Sequence, residues 1–572
     1  MTASFDVPRA AEVISPAFLR TTISHVPAAM PPQSTKRTRV QVAVIMVSLC
    51  ASTFIAALDI TIIATITPTV AEYFASPVGY QWIGSAFILP NTASTPTWGS
   101  MSDIWGRRPV LLAAVAVFFA GSLLCALGES FAAFIAGRAI QGLGAAGLTT
   151  LANICVADLF SLRDRGLYFG IMSLVWAVAS AVGPVLGGLL TERLSWRWCF
   201  WINLPVSGLV FILLFVALRL DGPNIPWRKG VYEIDWTGIL LVSGGSVMLL
   251  LGLDFGGVLY PWDSATVVCL IVFGVFVGVL FVLNEWKVAI RPVVPLRLFG
   301  QVSNAAAFTT SFCHGFVFIG IAFYLPLYFQ AVLGVGPLLS GVYLLPFIIS
   351  ISITAASVGL LIQQTGKYML VVYVGVVLNA VGSGLFLLLG AETNWPRIIV
   401  FQLVAGIGVG MLFEPPLLAV QAATASQDIA TVTATFGFIR SLSSAISIVV
   451  GGVTFQNQIA KEASSLASAL GAEAASLFGG GETTTHLGVV NSLSLEHQIL
   501  AREALTRALR AVWILYTGFA VASLLAGAFI RAYTLTKDHD TAATGSTTWN
   551  EDDSGGNRPN LRLPENASAL ET

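Results

Sequence analysis

The chain has 572 residues, a formal net charge of −1, 56% hydrophobic residues and only 10% charged ones. Soluble globular chains carry about 25% charged residues, so this chain has too little polar surface to cover a water-soluble protein of its size, and lipid must cover much of it. The near-zero charge gives no footing for a nucleic-acid partner.

The first forty residues carry Pro, Ser and Thr without an apolar core, so they are not a secretory signal, and the first apolar segment directs insertion itself. A lipid-exposed span satisfies its own backbone and is therefore a helix of about 20 residues. Runs of that kind fall at 42–66, 80–99, 109–128, 132–156, 166–190, 198–218, 236–255, 264–285, 305–331, 338–362, 369–390, 397–417, 429–455 and 511–531. Their number, about fourteen, is even and puts both termini on one side. One set of loops holds Lys36, Arg37, Arg39, Arg107, Arg108, Arg163, Arg165, Arg219, Arg228, Lys229, Lys287, Arg291, Arg297, Lys367, Arg531 and Lys537. The opposite short loops hold little beyond Arg193, Arg197 and Arg397, so the first set and both termini are expected in the cytoplasm.

Residues 456–510 read as a long non-cytoplasmic loop, with an amphipathic helix from Ser494 to Arg510 built on Leu495, Ile499, Leu505 and Leu509. The expected order is a disordered tail (1–41), a six-helix bundle (42–218), a linker with two inserted helices (219–285), a second six-helix bundle (286–531) and a disordered tail (532–572). The sequon at Asn566 falls in that last, cytoplasmic tail and reads as accidental. Cys50, Cys125, Cys155, Cys199, Cys269 and Cys313 lie inside apolar runs without zinc spacing, so they read as buried small hydrophobes, and no metal or cofactor is expected.

An internal repeat runs through this order. The turn after the second segment reads GSMSDIWGRRPVLL from Gly99, and the turn after the tenth reads GLLIQQTGKYMLVV from Gly359. The fourth segment carries Gly142 and Gly144 where the twelfth carries Gly406 and Gly408. Segments 1–6 and 9–14 thus read as two related halves with segments 7 and 8 inserted, the architecture of alternating-access carriers.

At these residues the chain resembles the major facilitator superfamily and, more narrowly, the fungal branch of its fourteen-helix drug:proton antiporter group. Gly99–Arg108 is similar to the superfamily's signature loop, Arg138–Gly147 to its fourth-helix motif, and Gly170–Leu190 to its fifth-helix antiporter motif. Ala57–Pro68, Trp196–Pro205, Ile234–Gly238 and Tyr324–Gly341 are similar to the fourteen-helix group. The resemblance covers nearly all of residues 40–535. It implies an all-α polytopic membrane protein of the major-facilitator fold, with two six-helix bundles, two inserted helices and efflux rather than uptake.

A charge inside the bilayer is costly and usually functional. Asp59 and Arg138 both fall about 10 Å below the outer surface at about 1.5 Å per residue, so they can pair. Burial disfavours a charged carboxylate and a neighbouring cation favours it, so such a pair can exchange a proton near neutrality. Asp59 is therefore the expected proton carrier and Arg138 its tuner, the alternative being a static ion pair. His314 is a second candidate for the proton, or a hydrogen-bonded packing residue. Arg440 needs an anion or a wet cavity, with Glu414 one candidate partner. The family more often has an uncharged residue at Glu414.

Gly99, Asp103, Gly106, Arg107 and Arg108 read as a cytoplasmic latch, with Asp158 a plausible partner for Arg107. Gly183 and Pro184 permit a kink, and Gly187 and Gly188 permit close packing. Asn91, Trp176, Phe323, Tyr324 and Gln330 offer the aromatic surface and few polar groups that a pocket for a drug-sized molecule needs. Trp196, Trp198 and Trp201 read as an interfacial belt.

The expected function is proton-coupled export of a toxic small molecule by a monomer in the plasma membrane, the partners being substrate, protons and lipid. The alternative is vacuolar uptake of basic amino acids, which similar fungal carriers perform. No GxxxxGK[ST] loop supports an ATP-driven pump, and no HExxH or clustered His/Asp constellation supports an enzyme. A channel or sensor built on carrier architecture is the remaining reading.

Overall fold

The computed structural model describes residues 38–74, 79–218, 226–257, 259–289, 291–425, 428–470 and 494–535. The expectations for the N-terminal tail, Arg219, the heart of the 456–510 loop, Lys537 and the sequon lie outside these residues.

The described chain is helical. In order come α1 (Arg39–Tyr73), α2 (Gly79–Trp105), α3 (Arg107–Leu127), α4 (Phe131–Leu159), α5 (Leu162–Arg193), α6 (Trp198–Trp201), α7 (Asn203–Ala217) and α8 (Trp227–Glu233). Then come α9 (Trp236–Phe255), α10 (Ala265–Lys287), α11 (Val302–Ala331), α12 (Pro337–Thr365), α13 (Met369–Leu385), α14 (Trp395–Met411), α15 (Pro415–Ala422), α16 (Ile429–Leu470) and α17 (Leu495–Gly527). Polar caps start many of them: Thr38 forms a capping box on α1, and Ser130, Ser161, Asp235, Ser264 and Asn394 accept from first-turn amides. Thirteen spans among the described residues are long and apolar enough to cross a membrane. The expected 80–99 span is α2, which is 27 residues long, carries Pro90 and Pro96 inside it and is not among those thirteen.

The repeat is present in the packing. Alanine-sized side chains cannot fit where α4 meets its neighbours: a Cβ on Gly142 would lie 2.2 Å from Phe87 O of α2, and one on Gly144 would lie 2.4 Å from Phe118 N of α3. In the second half a Cβ on Gly406 would lie 2.7 Å from Phe347 O of α12, and one on Gly408 would lie 2.4 Å from Asn379 N of α13. The trio α2, α4, α3 is thus repeated as α12, α14, α13, with backbones brought together by small residues as in other membrane bundles. The halves meet where α5 packs along α12 and α2 along α16. The inserted pair α9 and α10 packs on itself and, through α9, on α2 and α16. Most of α10 is exposed, as a lipid-facing helix would be.

Several boundaries differ from expectation. The reach of α16 to Leu470 and the start of α17 at Leu495 put both ends of the expected 456–510 loop in helices, and residues 471–493 between them lie outside the described residues. The amphipathic stretch from Ser494 does not lie apart: it runs straight into the last span, burying Ala501, Leu505 and Leu509 against the second half. The expected 397–417 span is two helices, broken between Met411 and Pro415. The second tail starts later than residue 532, because Tyr533 N donates to Tyr368 Oη at 2.9 Å and Leu535 is buried. Cys269 is exposed on α10 and Cys50 half-buried, whereas the other cysteines are buried. Trp196 leaves the expected belt, buried against Phe74, Phe134 and Phe200, while Trp198 stays exposed.

Candidate functional site

Three places bring the sequence-predicted residues together. The first is a charge network inside the N-terminal half. Asp59 on α1 is 0% exposed and Arg138 on α4 is 1% exposed, and Arg138 Nη1 lies 2.5 Å from Asp59 Oδ2. The other carboxylate oxygen accepts from Gln141 Nε2 at 2.7 Å and from Asn203 Nδ2 at 3.0 Å. Gln141 is tied in turn to Arg138 Nη1 through its carbonyl at 2.8 Å and to Ser122 Oγ through its amide at 2.9 Å. Arg138 Nε donates to Ile83 O at 3.3 Å, and the guanidinium lies over the Phe87 ring at 4.5 Å. Every polar neighbour of the carboxylate is a donor, the arrangement that makes a buried charge tolerable. Gln141 follows Arg138 by one helical turn, so its spacing alone puts it on the same face. Asn203 and Ser122 arrive by tertiary packing and carry no such signal.

The second place is the end of the bundle that holds the α2–α3 and α4–α5 turns. Gly106 has φ of +86°, a conformation that favours glycine and lets α3 start at once after α2. Arg107 joins Asp103 at 2.8 Å and Asp158 at 2.7 Å. Thr431 Oγ1 of α16 donates to Asp103 Oδ2 at 2.9 Å, so this cluster reaches across to the other half. Beside it a Cβ on Gly99 would lie 2.4 Å from Ala434 Cβ.

Across the α5–α12 seam a Cβ on Gly359 would lie 2.4 Å from Gly166 O, and one on Gly170 would lie 3.0 Å from Ala355 O. Arg163 donates to the carbonyls of Gln363 and Gln364, Gln363 Nε2 donates to Asp164 Oδ1 at 3.1 Å, and Arg165 Nη1 donates to Gln421 Oε1 at 3.2 Å. These bonds between the halves hold this end shut. Arg108 is not among them: it turns back over the Phe215 ring and donates to Phe215 O within its own half. Gly183 and Gly187 press α5 on Thr61 and Ile62 of α1, but among the described residues nothing would lie within 4 Å of a Cβ on Gly188.

The third place is where the halves meet at the break in the α14–α15 span. Pro415 and Pro416 have no N–H, so the carbonyls of Met411 and Leu412 lose their helical donors and the helix stops. Side chains turn into the break. His314 Nε2 lies 2.9 Å from Val409 O, and since a carbonyl only accepts, that nitrogen carries the proton. Arg440 Nη1 donates to Phe413 O at 3.4 Å and its guanidinium lies 4.5 Å over the Phe413 ring. From the other half, Ser173 Oγ donates to Glu414 Oε1 at 3.1 Å, and Trp176 sets its ring 5.6 Å from Phe318 and 6.5 Å from Phe413. Broken helices lining a site between repeats are how carriers expose polar backbone at membrane depth. Glu414, one candidate partner for Arg440, forms no ion pair with it within 4 Å among the described residues: Glu414 accepts from Ser173 and Arg440 turns to Phe413.

The remaining pocket candidates do not join this cluster. Phe323 is 49% exposed, and Tyr324 is 2% exposed and donates to Ile448 O at 2.6 Å inside its own half. Gln330 Nε2 donates to Ser340 Oγ at 2.9 Å, about 24 Å along α11 from His314 at about 1.5 Å per residue. Asn91 stays half-buried on α2, one turn from Thr95, whose methyl packs towards Gly437 of α16. Ser173, Phe318 and Phe413 went unread in the sequence, although Glu414-Pro415-Pro416 was a visible helix-breaking signal.

Comparison with known proteins agrees with this geometry. Residues 49–448 match the pattern described as the Major Facilitator Superfamily. The chain is 46% identical over 504 residues to the efflux pump dotC of Dothistroma septosporum, covering 88% of this chain and 87% of that one. It is 44% identical over 512 residues to the MFS-type transporter ppz2 of Metarhizium majus, covering 90% and 88%. Among solved structures, the proton:xylose symporter XylE superposes with a TM-score of 0.54 at 12% identity, over 87% of this chain and 98% of that one, a likeness of fold alone. With its two glycine-matched halves, its closed seam and its multiple membrane spans, the chain belongs to the major facilitator superfamily.

Proposed function

We propose that this protein is a proton-coupled exporter of small organic molecules, drugs or secondary metabolites, of the fourteen-helix antiporter group, working by alternating access. The single observation that carries the coupling is the fully buried Asp59 held by Arg138, Gln141 and Asn203. Protonating Asp59 removes the charge these donors hold, so Arg138 is freed and α1, α4 and α7 can shift together. His314 is a second, subordinate proton group. The export direction rests on relatives named as efflux pumps and on the antiporter-like fifth-helix segment containing Gly183 and Pro184.

In this reading the basic-loop end is cytoplasmic, both termini lie there, and the protein works as a monomer in the plasma membrane. The seam of Gly99, Asp103, Gly106, Arg107 and Asp158 is then the inner gate, shut here, which corresponds to a state open or occluded toward the outside. Substrate passes the cluster of Trp176, Glu414 and Arg440. Vacuolar uptake of basic amino acids fits less well, because a cationic substrate would meet Arg440 and the single acid Glu414 there.

The test is a transport panel in proteoliposomes under an imposed pH gradient. Gradient-driven movement of lipophilic drugs or metabolites, without lysine or arginine uptake, is expected. Movement of basic amino acids alone would favour the second reading.

A further inference from the structure

We infer that the inter-half cluster selects flat aromatic molecules that carry an acidic oxygen, a carboxylate or an ionised phenol, and that Arg440 is the residue that chooses them. The inference rests on the export reading for its physiological meaning, and on three observations for its chemistry. First, the rings of Trp176, Phe318 and Phe413 come from both halves and stand edge to face or tilted with centroids 5.6 to 6.5 Å apart. These rings touch one another here, so a flat apolar body that parts them as the halves move meets ring surface on more than one side.

Second, Arg440 has charge and donors to spare. A guanidinium offers five N–H groups. Among the described residues the guanidinium of Arg440 donates one long bond, 3.4 Å to Phe413 O, has no carboxylate oxygen within 4 Å, and the residue is only half-buried. A cation held over an aromatic face and left without a carboxylate is a ready partner for a bidentate anion. Third, the groups that face it do not satisfy it. Glu414 is engaged by Ser173 of the opposite half, and His314 spends its Nε2 proton on Val409 O. Glu414 adds a second discrimination: as a nearby carboxylate it lowers the affinity for an anion, and its free oxygen can accept from a hydroxyl on the same substrate.

The test uses three probes with one ring system, 2-naphthoate, 2-naphthol and 2-naphthylmethylammonium, and equilibrium binding to the purified full chain in lipid nanodiscs near neutral pH. Naphthoate is expected to bind at least about tenfold tighter than the ammonium compound, the ratio that one unpaired guanidinium can supply. Arg440→Gln is expected to bring that ratio to within about twofold, and Arg440→Lys to keep its sign. Glu414→Gln, which leaves Arg440 in place, is expected to tighten naphthoate binding. Trp176→Ala is expected to weaken all three probes alike.

Equal or reversed affinities in the unaltered chain would overturn the assignment. So would an anion preference that survives Arg440→Gln, or weaker naphthoate binding in Glu414→Gln, which keeps the proposal open to refutation even if Arg440→Gln does not fold. Failure here is separable from failure of export. A chain that binds naphthoate through Arg440 but moves nothing in a pH gradient would overturn the export reading alone.

Discussion

The two halves share one backbone plan and fill it with different chemistry. Gly121 of α3 faces Gln141 of α4, and in the second half Gly382 of α13 faces Ala405 of α14 in the same way. The same register sets Arg138 against Gln402. In the first half these positions hold a fully partnered ionic network. In the second, Gln402 Oε1 is buried without a hydrogen-bond partner among the described residues. Close helix packing therefore needs only the small residues, and the charge in one half is an addition the fold does not require. A buried ion pair stabilises little by itself and is often kept for another reason. Here that reason, in the proposed function, is the proton.

That contrast can be broken at several depths. The largest effect is expected from Arg138→Leu, which leaves Asp59 buried and unpaired; a loss of about 3–5 kcal/mol is expected, read as a collapse of the monodisperse, thermally stable fraction in detergent. The matched Gln402→Leu should lose far less, since it removes a buried amide oxygen, Oε1, that has no partner among the described residues. Next come the glycines: Gly142→Leu and Gly406→Leu should be similarly damaging, because both press on a neighbouring backbone, and unequal thermal shifts would deny the equivalence of the halves. Gln141→Leu is expected to cost about 1–3 kcal/mol by leaving an Asp59 oxygen short of a donor, again by thermal unfolding.

The smallest effect is expected from Arg108→Ala, beside the latch. Arg107→Ala should slow transport strongly, whereas Arg108→Ala should leave transport close to unaltered, since Arg108 faces Phe215 and not the seam.

Much of this was legible beforehand. Hydropathy locates the spans because a helix in lipid has no alternative way to satisfy its backbone. The repeat is readable because a glycine where two backbones touch tolerates no substitute. The Asp59–Arg138 pair follows from depth along two helices, and Arg107 with Asp158 follows from opposite charges at matched ends.

What escaped reading depends on contacts between distant segments. Nothing in the neighbourhood of Asn203 or Ser173 announces a partner 144 residues back on α1 or 241 residues on at Glu414. Hydropathy also does not feel a missing N–H, so the Pro415-Pro416 break hid inside an apolar run. Tyr324 and Gln330 stand apart from the inter-half cluster for a related reason: aromatic and polar residues on a membrane helix serve internal hydrogen bonds as readily as a pocket.

The most direct test of proton coupling is Asp59→Asn in proteoliposomes, a near-isosteric change that keeps the site packed and removes the titrating group. Substrate accumulation driven by an imposed pH gradient should disappear, while substrate exchange without a gradient continues and shows that the carrier is folded. Gradient-driven accumulation that persists unchanged in Asp59→Asn would contradict the account.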